Sequence, residues 1–426
     1  MAIKAKKLKN GMRYHLVPFP GTDAATVLVL TKVGARYEPL KVWGGSHFIE
    51  HLMFKGTKKR PNTIDISLEI DRYGAAFNAY TGKDLTGYYV KIAGNKAHVA
   101  IDLLHDMLFN SKYAPAEMKK EKQVIIEEIK MYEENPIMHI DDLIERAMFD
   151  GNPLGREIAG TSKSMIDMKR SDLISFRDKY YIPSEMVVVI AGNVPKGAKA
   201  LLEKTFGKVA QGTEPDSYLP FGDMPERKTP RVSIQYKELE QIQLALAFPA
   251  PGKHDEKTQA LKIFASILGG TMSSRLFIEV REKRGLAYFV RASSEAYEDV
   301  GMLLIRAGLN RERLDEALNA IFKELKKIKR EGVTVQELKF AKDHAEGAAK
   351  LSLEDSSNRA EFYGRQELFF DKVETLDEKL TKIREVTVKD VQDIANEILN
   401  FQKLSIAAVG PYKTDAALLK HVPVIN

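Results

Sequence analysis

The sequence predicts an α+β fold built as two homologous halves, each a mixed β-sheet covered on one face by helices. Three observations lead there. The chain has 426 residues, 44% hydrophobic and 29% charged, a globular mixture long enough for roughly two to three domains. Short apolar, β-rich runs alternate with long amphipathic stretches. The order of these elements in the first half recurs in the second.

At the start, the basic residues 1–7 run into Leu8-Lys9-Asn10-Gly11, where a secretory signal would need an apolar core. They read as a leading strand and a turn. Strands follow at residues 26–30, 85–92 and 186–191, where branched and aromatic residues concentrate. Residues 117–134 carry apolar side chains at Met118, Val124, Ile125, Ile129 and Met131 with carboxylates between them, which predicts a helix. Residues 162–181 read as one helix stopped by Pro183. Gly212, Pro215, Pro220, Gly222, Pro225 and Pro230 then crowd into one span, which predicts an extended linker over residues 211–230.

The repeat appears on either side of that linker. Residues 70–94 (IDRYGAAFNAYTGKDLTGYYVKIAG) match 280–308 (VREKRGLAYFVRASSEAYEDVGMLLIRAG) in pattern: helix end, Gly turn, aromatic strand, polar turn, second strand. A long helix is predicted after each, at 96–110 and 311–330. The helix and strand near 169–193 likewise have a counterpart at 387–410. The chain therefore divides into halves 1–210 and 231–426, and in each half the uncovered sheet face is expected to be open.

Composition removes several function classes. Cys is absent, which excludes disulfides, thiolate metal sites and Cys nucleophiles. The net charge of +6 is too diffuse for a nucleic-acid surface, so no nucleic-acid partner is expected. No run approaches the roughly 18 apolar residues of a membrane span, so a cytoplasmic chain without a membrane partner is expected.

The sharpest chemical feature is Gly44-Gly45-Ser46-His47-Phe48-Ile49-Glu50-His51-Leu52-Met53-Phe54. On a helix, His47, Glu50 and His51 share one face. Two neutral imidazoles one turn apart can grip Zn²⁺, and a carboxylate beside them can take a proton from metal-bound water and pass it on. A hydrolytic zinc site needs a third protein ligand. No third His is suitably placed, which leaves the carboxylates of 117–134. Glu121 and Glu128 are seven apart and share a face, while Glu127 is rotated away. Periodicity nominates that face and leaves open which of the two binds metal.

These residues resemble the inverted-motif zinc metallopeptidases, the group of pitrilysin, insulin-degrading enzyme and the mitochondrial processing peptidase. The resemblance is carried by GGSHFIEHLMFKGT, GAAFNAYTGKDLTGYY, EKQVIIEEI and Pro153-Leu154-Gly155-Arg156, and it runs through essentially the whole chain. It implies one Zn²⁺ per chain held by His47, His51 and Glu128 in the 1–210 half, with Glu50 as general base on a zinc-bound water. Glu121 becomes a carboxylate that orients a ligand. Asn78 and Ala79 match the family's edge strand, to which an extended peptide adds itself.

The 231–426 half has LKIFASILGG (261–270) where the His motif would stand, so it is expected to bind no metal. Its residues 281–288 resemble the family's Arg/Tyr element. Arg281 and Tyr288 fit best as donors to a substrate carbonyl, with Arg284 a weaker alternative to Arg281. The resemblance is to the short two-domain branch, which implies a homodimer enclosing a chamber and an endopeptidase acting on peptides or short unfolded segments. Two other readings follow from the same family: a non-catalytic scaffold subunit, and a processing peptidase dedicated to one leader peptide.

Overall fold

Side chains alternate across a strand, so a strand buried on both faces reads as an unbroken apolar run. The runs near residues 27 and 188 are of this kind. A computed structural model describes residues 6–423 of the chain; the expectation for residues 1–5 lies outside the described residues. The first sheet contains β1 (Lys6–Lys7), β2 (Arg13–Pro18), β3 (Ala24–Thr31), β4 (Ala76–Thr81), β5 (Thr86–Ala93) and β6 (Met186–Gly192). Its order is β1-β2-β6-β3-β5-β4, with β2 and β6 parallel and every other pair antiparallel.

The second sheet contains β7 (Arg231–Tyr236), β8 (Gln241–Ala250), β9 (Ala287–Ala296), β10 (Gly301–Asn310) and β11 (Ser405–Gly410), in the order β7-β11-β8-β10-β9. Here β7 and β11 form the one parallel pair. Without β1, the two sheets have the same topology, so the repeat read from residues 70–94 and 280–308 extends to the whole architecture. The fold is the predicted pair of α+β halves with mixed sheets.

The main helical layer covers one face of each sheet. In the first, Val27, Val29, Val188 and Ile190 pack with residues from helices Gly45–Met53, Ala97–Asn110 and Pro115–Glu134. In the second, Leu244, Leu246, Ile305 and Ile406 pack against helices Thr258–Ala265, Leu314–Glu331 and Val388–Ile398. The opposite faces, which the sequence led us to expect open, are covered instead. Leu28, Leu30, Val187 and Val189 bury against Ala360, Tyr363 and Phe369 of helix Ser356–Phe369. Ala245, Ala247, Leu304 and Val409 bury against Ile140, Leu143 and Ile144 of helix Pro136–Met148.

Those two helices are exchanged. The first compact unit takes the chain up to Lys130, then Glu157–Leu219 and Ala349–Leu376; the second takes Met131–Arg156, Pro220–Ala348 and the chain from Asp377. Relative to the expected halves 1–210 and 231–426, each compact unit takes in one segment from the other half. The physical reason is burial: the apolar face of each lent helix closes a sheet whose strands come from the other half. Contact is close enough that a Cβ on Gly364 would lie 3.0 Å from Leu30 Cδ1. The linker between the halves has no regular secondary structure over residues 211–227.

The single helix predicted for 162–181 is two, Ser162–Asp167 and Arg170–Tyr180. Met168 turns extended and buries its side chain at the break. Helix termini leave carbonyls without partners. Lys122 Nζ supplies them here, donating to Ile166 O at 2.9 Å and Met168 O at 2.7 Å.

Candidate metal centre

The helix Gly45–Met53 begins on Gly44, whose backbone is left-handed at φ 88°, where a side chain is strained. Space is closed as well: a Cβ there would sit 2.6 Å from Ala159 O. No Gly44 side chain caps the helix. Glu38 does so from outside, accepting Gly44 N–H at 2.7 Å and Ser46 N–H at 2.6 Å through its two carboxylate oxygens. Phe48, Ile49, Leu52 and Met53 fix the buried face, leaving His47, Glu50 and His51 on the other.

The two imidazoles meet at their Nε2 atoms, 3.2 Å apart, with ring centroids 4.5 Å apart. Glu128 Oε2, from helix Pro115–Glu134, lies 3.5 Å from His51 Nε2 and 3.8 Å from His47 Nε2. One ligand atom from each of the three residues lies within 4.8 Å of the others. Behind this group, Glu121 Oε1 lies 3.0 Å from His51 Nδ1, and Lys55 Nζ lies 2.8 Å from Glu121 Oε2. Glu127 turns away to pair with Lys130. Glu128 faces both Nε2 atoms, and Glu121 faces the far nitrogen of His51.

Protonation follows from these contacts. Burial raises the energy of a Glu121 carboxylate, but the His51 and Lys55 contacts outweigh it and hold the carboxyl below its usual range. An ionised Glu121 only accepts, so His51 Nδ1 carries the hydrogen of their contact, and Nε2 is the nitrogen turned toward Glu128. Burial, with His51 adding to it, pushes His47 down to about 3, so its ring is neutral at physiological pH. Two imidazoles and a carboxylate converge on one point, a donor set suited to a divalent cation. Two Zn–N bonds at a tetrahedral angle would place the nitrogens about 3.3 Å apart, close to the separation present. The residues fit zinc.

Glu50 lies on the same helix face, and its Oε2 accepts the Thr81 hydroxyl at 2.5 Å. Burial raises its pKa, opposed by Thr81 and His51 and assisted by Glu128. Thr81 ends β4, the outermost strand of the first sheet, so the helix is tied to that strand. Asn78 and Ala79 lie on β4 opposite Tyr89 and Tyr88. The Ala79 N–H donates to Asn78 Oδ1 at 2.9 Å.

Arg281 and Tyr288 belong to the second unit, on either side of a turn at Gly285. Arg281 sits in a π-helical segment, Phe277–Glu282, with its guanidinium 4.9 Å from the Phe277 ring centroid. Tyr288, on β9, is 72% exposed and so available to a ligand. Arg284 is committed to Glu279 through its carboxylate and carbonyl oxygens, which makes it the poorer choice.

Comparison with known proteins decides the family. The description "Insulinase (Peptidase family M16)" matches residues 16–162, and "Peptidase M16 inactive domain" matches residues 167–344. A Bacillus subtilis protein named as an uncharacterized zinc protease, YmxG, is 34% identical over 96% of this chain and 98% of its own. The chain belongs to peptidase family M16. A Mycobacterium tuberculosis zinc protease, also named as uncharacterized, is 34% identical over 98% of the M16 chain and 95% of its own. The fold matches the crystal structure of a Helicobacter pylori protease with a TM-score of 0.89 at 24% identity, covering 96% of this chain and 99% of that one.

Family membership makes this a chain of the zinc peptidases, with two family domains. The absence of the His motif from residues 261–270 of the M16 chain accords with the name of its second domain. No helix among the described residues is long and apolar enough to cross a membrane. Sequence reading of the M16 chain missed Glu38, Lys55 and Thr81, each of which contacts the metal helix or its supporting carboxylate. Only the nearness of Glu38 to Gly44 in sequence offered a signal.

Glu38→Ala is expected to destabilise the M16 chain by about 2 kcal/mol, because two buried N–H groups lose their acceptor. Burial pushes the Glu38 carboxyl up to about 7, against the lowering effect of its Ser46 and Gly44 bonds. Urea unfolding monitored by circular dichroism checks this; an unchanged midpoint would deny Glu38 its capping role.

Proposed function

We propose that the chain is a zinc-dependent endopeptidase that cleaves peptides or short unfolded segments. The observation that carries this reading is the convergence of His47, His51 and Glu128 ligand atoms within 4.8 Å, with Glu50 on the same helix face. When bound, one zinc ion per chain would supply Lewis acidity to the scissile carbonyl and acidify a water beside it. Glu50 accepts the proton of the attacking water and delivers it to the leaving amine. Thr81 holds the Glu50 carboxylate in place while it does so. Glu121 orients His51 by accepting from Nδ1, and Lys55 in turn fixes Glu121.

The substrate is an extended peptide pairing with β4 at Asn78 and Ala79. Backbone pairing of this kind gives affinity with few demands on side chains. Arg281 and Tyr288 donate to the carbonyl oxygen that becomes anionic during attack. Their separation from the zinc-binding half in sequence fits a homodimer in which each chain completes the other's site, and a closed chamber would select unfolded segments over folded proteins. The intact ligand set favours this reading over a scaffold subunit. A cytoplasmic location and the absence of nucleic-acid and membrane partners complete the proposal.

The test is hydrolysis of a quenched peptide by the purified chain, with metal content and solution mass measured beside it. Zinc near one per chain, cleavage abolished by chelation and restored by zinc, and a mass of two chains are the expected results. A zinc-free chain with full activity would overturn the proposal. Arg281→Ala is expected to lower turnover about 10²-fold while leaving zinc content unchanged, the scale for loss of one oxyanion donor. Metal loss in that variant would assign Arg281 a structural part instead.

A further inference from the structure

The lent helix Ser356–Phe369 closes a sheet face, and its polar residues also contact the strands one by one. Ser356 Oγ lies 2.8 Å from Thr26 Oγ1 on β3, and Glu367 Oε2 lies 2.5 Å from His15 Nε2 on β2. At β5, Lys91 Nζ donates to Asp355, the N-cap of the helix, at 2.5 Å. The contact to β4 is the one that bears on the peptide edge. The Tyr80 hydroxyl donates to Glu361 Oε1, and Arg365 Nε donates to Glu361 Oε2 at 2.7 Å. The Arg365 guanidinium lies 5.5 Å from the Tyr80 ring centroid.

An edge strand is bonded to a neighbour along one side only, so it has less to fix its position than an interior strand. Tyr80 lies between Ala79, assigned above to peptide pairing, and Thr81, which holds Glu50. Its ring lies over Gly87 on β5, so closely that a Cβ there would be 2.4 Å from the Tyr80 hydroxyl oxygen. Lying across Gly87, the phenol reaches Glu361 on the lent helix.

We infer that Tyr80, Glu361 and Arg365 form a positioning set, lent by the second half of the sequence, that holds β4 at the height a peptide needs to pair beside Glu50. None of the three touches the reacting atoms. The inference rests on the peptide-pairing assignment of β4, and its experiment separates the two. Tyr80→Phe removes only the hydroxyl and keeps the ring on Gly87. Glu361→Gln keeps an acceptor for the phenol but breaks the charge pairing with Arg365.

In the full-length chain, Tyr80→Phe is expected to lower hydrogen-exchange protection of β4 amides about tenfold, with β3 and β6 unchanged and zinc content intact. The KM for a quenched peptide should rise about tenfold with a much smaller change in kcat, and the cut positions in a long unfolded peptide should spread to neighbouring bonds. Glu361→Gln should show the same changes at smaller size. The double variant should match Tyr80→Phe alone, since both act through one contact. Unchanged β4 protection, loss of zinc, or additive effects in the double variant would overturn the inference. Loosened β4 with no peptide cleavage by the wild-type chain would instead overturn the peptidase reading and leave the clamp standing.

Discussion

Glu50→Gln is expected to retain zinc at the wild-type level and to lose peptide turnover by about 10²–10⁴-fold, the range for removing a general acid–base group. The substitution is nearly isosteric. The Thr81 hydroxyl that donates to Glu50 can donate equally to an amide oxygen, so the side chain keeps its anchor on β4. The ligand atoms of His47, His51 and Glu128 do not involve Glu50, so metal binding has no reason to fall. What is lost is basicity: an amide cannot take a proton from water or give one to the leaving amine. Zinc analysis and quenched-peptide kinetics on the same preparation check both halves of this expectation. Wild-type turnover by the variant would refute the role of Glu50, and zinc loss would place it among the groups that build the site.

The candidate site was legible in sequence because local spacing determined half of it. His47, Glu50 and His51 fall on one face by helical period alone, with apolar Phe48, Ile49, Leu52 and Met53 setting which face is buried. The distant carboxylates were only half legible. Period put Glu121 and Glu128 on the same side of their helix, and period could not say more, because an imidazole presents nitrogens in two directions. In the structure one carboxylate faces each side of His51.

The fold divides similarly. The repeat follows from patterns that recur in each half. The lent helices were invisible, since helix Ser356–Phe369 shows in its own sequence nothing of the strands that Ala360 and Phe369 cover. Tertiary contacts of this kind, Tyr80 with Glu361 among them, have no periodic signature. The break at Met168 was missed for the same reason: its carbonyl is satisfied by Lys122, far away in the chain.

His51→Ala and Glu121→Gln are expected to separate gripping the metal from tuning it. His51→Ala removes a ligand and leaves two of three. It should abolish stoichiometric zinc, cleavage, and the rise in melting temperature that added zinc gives the metal-free wild-type chain. Glu121→Gln removes no ligand. Its amide oxygen can still accept from His51 Nδ1, but a neutral acceptor makes the ring less basic at Nε2 and leaves Lys55 without its counter-ion. Zinc affinity should fall about 10–100-fold, the range for a carboxylate that acts through a ligand, while the site still fills at high zinc. Competition against a chromogenic chelator measures both variants on one scale. Equal loss in the two would mean that Glu121 itself binds the ion. If Glu121→Gln bound zinc as tightly as wild type, the contact between Glu121 and His51 would contribute nothing to the grip. The graded order, with His51→Ala far below Glu121→Gln and Glu121→Gln below wild type, is the outcome that two nitrogens of one ring facing two different carboxylates require.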